Sequence, residues 1–231
     1  LGDVYKRQAL FDQDNEKGNL PYMKIVLPEK VKFIIETLET HGYESYAVGG
    51  CVRDTMLHRT PGDWDITTQA KPEQVKEIFA EKNIHTIDTG IQHGTVTVMV
   101  EHEEFEVTTY RIDGEYEDAR HPKNVQFTAS LLEDLKRRDF TINAMAYNDK
   151  NGLIDAFDGV GDLERGVIRC VGCAMERFSE DALRMLRAVR FAAQLGFDIE
   201  AETKEAMVKL APNIATVSYT HLRAHETDQY L

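Results

Sequence analysis

The sequence is poor in cysteine, tryptophan and positive charge, and it lacks any long apolar run. Its three cysteines are odd in number and too few for a disulfide framework, which predicts a reducing compartment and a cytoplasmic protein. No apolar run approaches the length of a membrane span and no signal-peptide pattern is visible, so we expect no membrane association. Cys170 and Cys173 form a C-x-x-C pair, which is weak evidence for zinc without a second pair or neighbouring histidines.

The charge balance is acidic. Lysine and arginine number 27 against 40 aspartates and glutamates, a net charge of −13 at pH 7. Such a balance argues against a protein that coats nucleic acid through a general basic surface. It still allows an enzyme that binds RNA through a local basic patch, and Lys136, Arg137 and Arg138 form one such cluster.

The chain length bounds the number of domains. Its 231 residues can hold one large domain or one and a half, and the hydrophobic content of 42% is ordinary for a globular protein. Residues 1–22 and 219–231 show no periodicity, so we expect a foreign or disordered leader and a foreign tail; the alternative is frayed termini. Met23 is typical of a natural start. A shift from strand to helix patterns near Gly172 predicts two domains, residues 23–171 and 172–218.

Apolar spacing predicts a mixture of sheet and helices, which is the α+β class. Helices are expected over residues 28–41, 50–57, 71–82, 140–147, 179–195 and 201–210. Strands are expected over residues 46–48, 63–67, 84–87, 95–100, 105–110 and 166–171, with a hairpin between 95–100 and 105–110. The polar stretch 111–126 is typical of a flexible loop.

A glycine pair and two aspartates form the most specific pattern. Gly49 and Gly50 end an apolar strand, a short helix with Arg53 follows, and the next strand is expected to start with Asp63 and Asp65. Alternate strand residues share a face, so these carboxylates would point the same way with Cα atoms roughly 7 Å apart. Paired carboxylates beside a glycine turn can hold magnesium against a phosphate chain. Taken singly, a Gly-Gly is usually a turn and an Asp-x-Asp a solvated strand edge.

Glu106 lies on the second strand of the predicted hairpin. A third carboxylate on a neighbouring strand can complete a metal site or accept a proton from an attacking hydroxyl. The alternative is a polar residue on the solvent face of that strand. We expect Glu106 to belong to the catalytic group with Asp63 and Asp65.

Three motifs together resemble one known family. They are Gly-Gly-Cys-Val-Arg-Asp at 49–54, Arg-Arg-Asp at 137–139 and Glu-Asp-x-x-Arg at 180–184. The combination resembles the tRNA-nucleotidyltransferase and bacterial poly(A)-polymerase branch of the nucleotidyltransferase superfamily. The resemblance implies a mixed-sheet head, a helical neck, and Mg²⁺-dependent transfer of CMP and AMP from CTP and ATP to the 3′ end of tRNA, with release of pyrophosphate.

The resemblance also implies roles for single residues. Asp63 and Asp65 would hold the metal, while Gly49, Gly50 and Arg53 would hold the triphosphate. Arg138 would bind the triphosphate as well, since a guanidinium offers paired donors to phosphate oxygens. Asp139 and Asn143 would contact ribose hydroxyls, and Asp139 can also cap a helix at Phe140.

The last motif carries the base-reading role that the resemblance implies. Asp181 and Arg184 stand three residues apart, which places them on one face of a continuous helix. A carboxylate accepts from the amino group of cytosine or adenine, and a guanidinium donates to the ring nitrogen beside it. Arg187 and Arg190 would reach phosphates or support this pair. The alternative is a surface ion pair of little value.

Rival interpretations remain open at this point. Within the branch, the chain can be an A-adding or CC-adding enzyme or a poly(A) polymerase; outside it, an inactive nucleotide-binding fragment. An antibiotic nucleotidyltransferase fits less well, because it leaves the motifs at 137–139 and 180–184 unexplained. The resemblance further places a mobile loop at Asp118, Arg120 and His121.

Overall fold

A seven-stranded mixed β-sheet organises the chain. The computed structural model describes residues 25–114 and 125–216. The strand order is β3-β4-β5-β2-β1-β8-β9, in which β2 and β5 run parallel and every other neighbouring pair is antiparallel. The strands are β1 Ser45–Val48, β2 Ile66–Thr68, β3 Thr86–Gly90, β4 Thr95–Val100, β5 Glu103–Thr109, β8 Met145–Asn148 and β9 Gly152–Asp155. The predicted α+β class is confirmed.

Helices and two small ribbons complete the fold. The helices are α1 Glu29–Thr40, α2 Gly50–Met56, α3 Pro72–Glu81, α4 Leu131–Lys136, α5 Gly159–Arg165, α6 Ala174–Glu180, α7 Leu183–Leu195 and α8 Ala201–Leu210. The ribbons pair β6 Arg111–Asp113 with β7 Val125–Phe127, and β10 Val167–Ile168 with β11 Asp198–Ile199. Short 3₁₀ turns lie at Ile91–His93, Thr141–Asn143 and Ala211–Thr216. Among the described residues, no helix is both long and apolar enough to cross a bilayer.

Apolar periodicity located the main core correctly. In α1, the buried residues Val31, Ile34, Ile35 and Leu38 follow helical spacing and pack against the sheet. In β4, Val96, Val98 and Val100 alternate with more polar residues and point into the same core. The predictions for residues 28–41, 71–82, 95–100 and 201–210 are therefore confirmed, give or take one or two terminal residues.

The strand predicted from Asp63 is shorter than expected. Strand β2 begins at Ile66, so Asp63 and Asp65 lie in the segment that leads into it. The carbonyl oxygen of Asp65 nevertheless accepts a hydrogen bond from the Val48 amide at 3.0 Å. The segment is therefore tied to β1 before the regular ladder begins.

The helix predicted over residues 140–147 is wrong. A 3₁₀ turn at Thr141–Asn143 leads directly into β8, which pairs with β1 and β9. All four residues of β8 are buried, and a short apolar run buried on both faces looks alike in a helix and a central strand. Strand β9 and helix α5, which the sequence patterns missed, follow; the Asp155 carboxylate accepts from the Gly159 and Val160 amides.

The C-terminal helix predicted over residues 179–195 is interrupted. Helix α6 ends at Glu180 and α7 begins at Leu183. Asp181 between them is extended, with φ −142°, and its carboxylate accepts from the Leu183 amide at 2.9 Å. Asp residues favour such local side-chain bonds over a continuous helix, which is the physical reason for the break.

Other segments differ from expectation at their edges. The strand expected at 84–87 begins only at Thr86 and runs to Gly90. The strand expected at 166–171 is reduced to β10 and a bridge between Cys170 and Phe140. The stretch 111–126, predicted as a loop, starts and ends in the β6–β7 ribbon. Asp118, Arg120 and His121 lie outside the described residues, as do residues 1–22 and 219–231.

Candidate active site

A glycine turn joins β1 to α2 at one end of the sheet. Gly49 has φ +83°, a backbone conformation that residues with a side chain rarely adopt. Its amide donates to the Met145 carbonyl of β8 at 3.1 Å. A Cβ atom added to Gly49 would lie 3.2 Å from Arg138 Nη1. The guanidinium of Arg138 therefore lies directly against the glycine turn.

Replacing Gly49 by alanine is expected to destabilise the protein by about 1–3 kcal/mol, because the positive φ and the Arg138 contact both disfavour a side chain. The matched control is Gly62→Ala, since a Cβ there meets nothing within 4 Å and the backbone has no positive φ. Urea unfolding of both variants measures the difference. Equal stability of Gly49→Ala and wild type would contradict this account of the turn.

The three predicted carboxylates converge beside this turn. Strand β2 pairs with β5 in the register Ile66 to Val107, which puts Asp65 next to Glu106. Burial raises the pKa of Asp65 to about 6, with Asp63 and Glu106 adding to the rise and Arg138 opposing it. The pKa of a carboxyl responds this way only to charges that lie near it. The structure thus brings together Asp63, Asp65, Glu106 and Arg138.

These carboxylates fit a divalent cation. Mg²⁺ prefers hard oxygen ligands, and a positive ion between Asp63 and Asp65 would offset the repulsion by Asp63, which adds to the effect of burial in raising the pKa of Asp65. Within residues 25–114 and 125–216, no group of three or more His, Cys, Asp or Glu side chains is placed so that it could hold a metal ion, and Asp63, Asp65 and Glu106 are no exception. An ion held here therefore needs further oxygens from a bound phosphate, which is how Mg²⁺ commonly binds. Within the same residues, Cys170 and Cys173 belong to no such group.

A buried network connects the turn to α7. Arg53 Nη1 donates to Asn143 Oδ1 at 2.8 Å, and Asn143 Nδ2 donates to Asp139 Oδ1 at 3.4 Å. Arg187 Nε donates to Asp139 Oδ2 at 2.6 Å. Burial opposes ionisation of Asp139, but Arg187 outweighs it and holds the pKa of that carboxyl below its ordinary value. The prediction that Asp139 caps a helix at Phe140 is wrong, because Phe140 is extended and the 3₁₀ turn after it has no side-chain cap; Asp139 Oδ1 instead accepts from the Phe140 amide at 2.8 Å.

The arginines of α7 gather with Arg53 around one aromatic ring. The guanidinium carbon of Arg53 lies 5.0 Å from the ring centroid of Phe191, and those of Arg187 and Arg190 lie 5.2 Å from it. Burial and the neighbouring Arg187 lower the pKa of Arg190. Three cations held this closely in a half-buried place make the local potential positive, which favours an anion.

Asp181 and Arg184 do not lie on one continuous helix, because α7 begins at Leu183. Arg184 is buried, and its Nη1 donates to Glu180 Oε2 at 2.8 Å. Its Nη2 donates to the Arg137 carbonyl at 3.4 Å, which ties α7 to the Arg-Arg-Asp motif. The two residues still adjoin, since the Arg184 amide donates to the Asp181 carbonyl at 3.1 Å.

Sequence reasoning missed Asp134, whose carboxylate holds the side chains of Arg137 and Arg138 in place. This carboxylate is fully buried and accepts from Arg137 Nε at 3.0 Å, from Arg138 Nη2 at 3.4 Å and from Thr67 Oγ1 at 3.3 Å. Arg137 and Arg138 follow Asp134 at the i+3 and i+4 positions, a spacing that was available as a signal. The sequence predicted Phe191 only as apolar packing between the arginines and gave Glu180 no separate role, and nothing in their spacing alone identifies one.

A family model and several curated relatives match this chain. The family model described as the poly A polymerase head domain matches residues 45–169. A CCA-adding enzyme of Leuconostoc mesenteroides is 54% identical over 190 residues, which are 82% of this chain and 46% of that protein. A CCA-adding enzyme of Geobacillus kaustophilus is 53% identical over 190 residues, with the same coverage. The chain thus spans about half the length of the curated relatives it matches.

Solved structures give the same assignment. The Bacillus stearothermophilus CCA-adding enzyme in complex with CTP superposes with a TM-score of 0.76 at 46% identity, covering 84% of this chain and 46% of that one. A tRNA nucleotidyltransferase complexed with a primer tRNA and an incoming ATP analog has a TM-score of 0.61 at 33% identity, covering 79% and 50%. Since the family model matches more than half of the residues, the chain belongs to the poly A polymerase head-domain family.

Proposed function

We propose that the chain is the head and early neck of a template-independent tRNA nucleotidyltransferase. It would add CMP and AMP from CTP and ATP to the 3′ end of tRNA and release pyrophosphate. The observation that carries this proposal is the convergence of Asp63, Asp65 and Glu106 with Arg138 beside the Gly49 turn. The relatives named as CCA-adding enzymes support it, because two of them are 54% and 51% identical to this chain over 190 and 195 residues. The division into residues 23–171 and 172–218 stays a prediction.

The carboxylates would hold Mg²⁺ together with the phosphates of the nucleotide. Asp63 and Asp65 are the proposed ligands, and a bound Mg²⁺ would neutralise charge that develops on the phosphates. Glu106, which is exposed and adjoins Asp65, would complete this group or accept the proton of the tRNA 3′ hydroxyl. Gly49 and Gly50 leave room for the phosphates, and Arg53 and Arg138 flank them.

The buried network would position the arginines that face the triphosphate. Asn143 accepts from Arg53 and Asp139 accepts from Arg187, so each polar side chain fixes one guanidinium. These hydrogen bonds favour a positioning role for Asp139 and Asn143, while their contact with ribose hydroxyls stays a prediction. Arg187 and Arg190 would supply further positive charge for the phosphates.

Base selection is proposed for Asp181 and Arg184. Cytosine and adenine both present an amino donor beside a ring-nitrogen acceptor, whereas guanine and uracil present a carbonyl acceptor beside an N–H donor. A carboxylate next to a guanidinium therefore suits C and A and rejects G and U. The bonds from Arg184 to Glu180 and to the Arg137 carbonyl fix the guanidinium, which is the rigidity that such selection requires.

Asp181→Ala is expected to weaken the preference for CTP and ATP over GTP and UTP by roughly tenfold or more. The loss of an acceptor leaves a buried amino donor unpaired, which costs about 1–3 kcal/mol. Binding of all four triphosphates in the presence of Mg²⁺, measured by calorimetry on this chain, tests it directly. Asp198→Ala, an exposed aspartate of β11, is the matched control and should keep wild-type selectivity. Unchanged selectivity in Asp181→Ala would move base reading to other residues.

A bacterial poly(A) polymerase is the second candidate, and the description of the matching family model favours it. An enzyme that adds only A or only CC to tRNA is a variant of the first candidate, the tRNA nucleotidyltransferase. Sequencing the 3′ ends that the natural full-length protein makes on tRNA separates them: a single CCA supports the proposal and a run of adenosines supports the alternative. The cytoplasmic location stays a prediction.

A further inference from the structure

Phe191 lies where the α2 and α7 arginines meet. Its ring is 7% exposed, and Phe140 packs edge-on against it with centroids 5.9 Å apart and planes at 87°. The remaining ring surface is approached by Arg53, which follows the glycine turn, and by Arg187 and Arg190 from its own helix. One aromatic ring therefore contacts cations from two helices that are far apart in the sequence, α2 and α7.

The convergence of three guanidiniums is electrostatically unfavourable without compensation. Carboxylates supply part of this compensation, since Arg53 forms a paired bond with Asp54 and Arg187 binds Asp139. The face of an aromatic ring carries partial negative charge and attracts cations, most strongly where water is excluded. An aliphatic side chain of similar volume fills the same space but lacks this attraction. The ring of Phe191 is thus a neutral group that offsets part of the repulsion without neutralising the arginines.

We propose that Phe191 is a positioning residue for nucleotide binding. Its ring holds Arg53, Arg187 and Arg190 at a common distance, so that their guanidiniums are spaced for a triphosphate before the nucleotide arrives. A carboxylate in the same place would bind the arginines more strongly but would repel the phosphates. This inference rests on the proposed function, because it assumes that the arginines receive CTP or ATP. Phe191 acts through the arginines and does not itself contact the nucleotide.

The test replaces Phe191 by phenylalanines with one, two and three ring fluorines. Fluorine withdraws charge from the ring face and weakens its attraction for cations in steps, while the shape of the side chain changes little. The affinity of this chain for Mg²⁺–CTP is expected to fall with each fluorine and by roughly tenfold at three. The same series at Phe79, which is fully buried in the main core, is the matched control and should leave the affinity unchanged. Thermal unfolding confirms that each variant is folded.

The outcomes separate this inference from the function on which it rests. If the unmodified chain does not bind Mg²⁺–CTP or Mg²⁺–ATP, the proposed function fails and the inference fails with it. If the unmodified chain binds and the Phe191 series gives constant affinity, the inference alone is overturned, because a ring that only fills space is insensitive to its charge distribution. A graded loss confined to the Phe191 series supports the positioning role.

Discussion

Asp65→Asn is expected to reduce Mg²⁺-dependent nucleotide transfer by at least about a hundredfold. Asparagine keeps the shape of the side chain but loses the charge that a metal ligand needs, and metal stabilisation of a developing charge is worth several kcal/mol. The fold should persist, because burial, Asp63 and Glu106 disfavour the ionised form of Asp65 in the protein alone. Transfer of labelled CMP to tRNA by the natural full-length protein measures the effect.

The control is Asp198→Asn, an exposed aspartate outside the site, which should transfer at the wild-type rate. Asp63→Asn should resemble Asp65→Asn, since both aspartates are proposed metal ligands. A folded Asp65→Asn protein that transfers CMP as fast as wild type would overturn the assignment of the metal site.

Asp134→Asn is expected to lower the free energy of unfolding by about 3–5 kcal/mol. The substitution leaves Arg137 and Arg138 partly buried without their carboxylate, and breaking a buried ion pair from one side carries a cost of this size. The matched control is Asp88→Asn, which removes a carboxylate 2.8 Å from Lys76 on the surface and should cost about 1 kcal/mol or less. Urea unfolding gives both values. Similar losses in the free energy of unfolding for the two variants would contradict the claim that the buried ion pairs stabilise the protein more than a surface pair does.

The pH dependence of this variant follows from the same carboxyl. Burial opposes ionisation of Asp134, but Arg137 and Arg138 outweigh it, so the pKa lies below its ordinary value of about 3.9. A lowered pKa in the folded state means that the contribution to stability is present above about pH 3.9 and is lost as pH falls through the folded value. The gap in stability between wild type and Asp134→Asn should therefore be constant near neutral pH and shrink in acid. A gap that widens in acid would contradict the ion-pair account.

Apolar spacing along the sequence predicted those helices and strands that bury only one face. The helix with Val31, Ile34 and Leu38 and the hairpin around Glu101–Glu104 follow from spacing, because one face of each is buried. The helix predicted over residues 140–147 is wrong because Met145–Tyr147 belong to β8, which is buried between β1 and β9, where only the tertiary neighbours decide between helix and strand.

The candidate site shows the same division. Spacing and motifs predicted roles for Asp63, Asp65 and Arg138, because each belongs to a short contiguous pattern, and these roles stay predictions. They gave Asp134 no role and Phe191 only a packing role, because the contacts of both depend on other elements: Arg53 of α2 lies over the Phe191 ring, and Thr67 of β2 donates to Asp134. The break at Asp181 was missed because one side-chain hydrogen bond to the Leu183 amide decides it.

One calorimetric titration tests most directly the proposal that this chain carries a metal-dependent site for CTP and ATP. The chain is titrated with CTP, ATP, GTP and UTP, each with Mg²⁺ and with EDTA. The account predicts that CTP and ATP bind only when Mg²⁺ is present and that GTP and UTP bind at least about tenfold more weakly. Absence of Mg²⁺-dependent binding, or equal affinity for all four nucleotides, would contradict it.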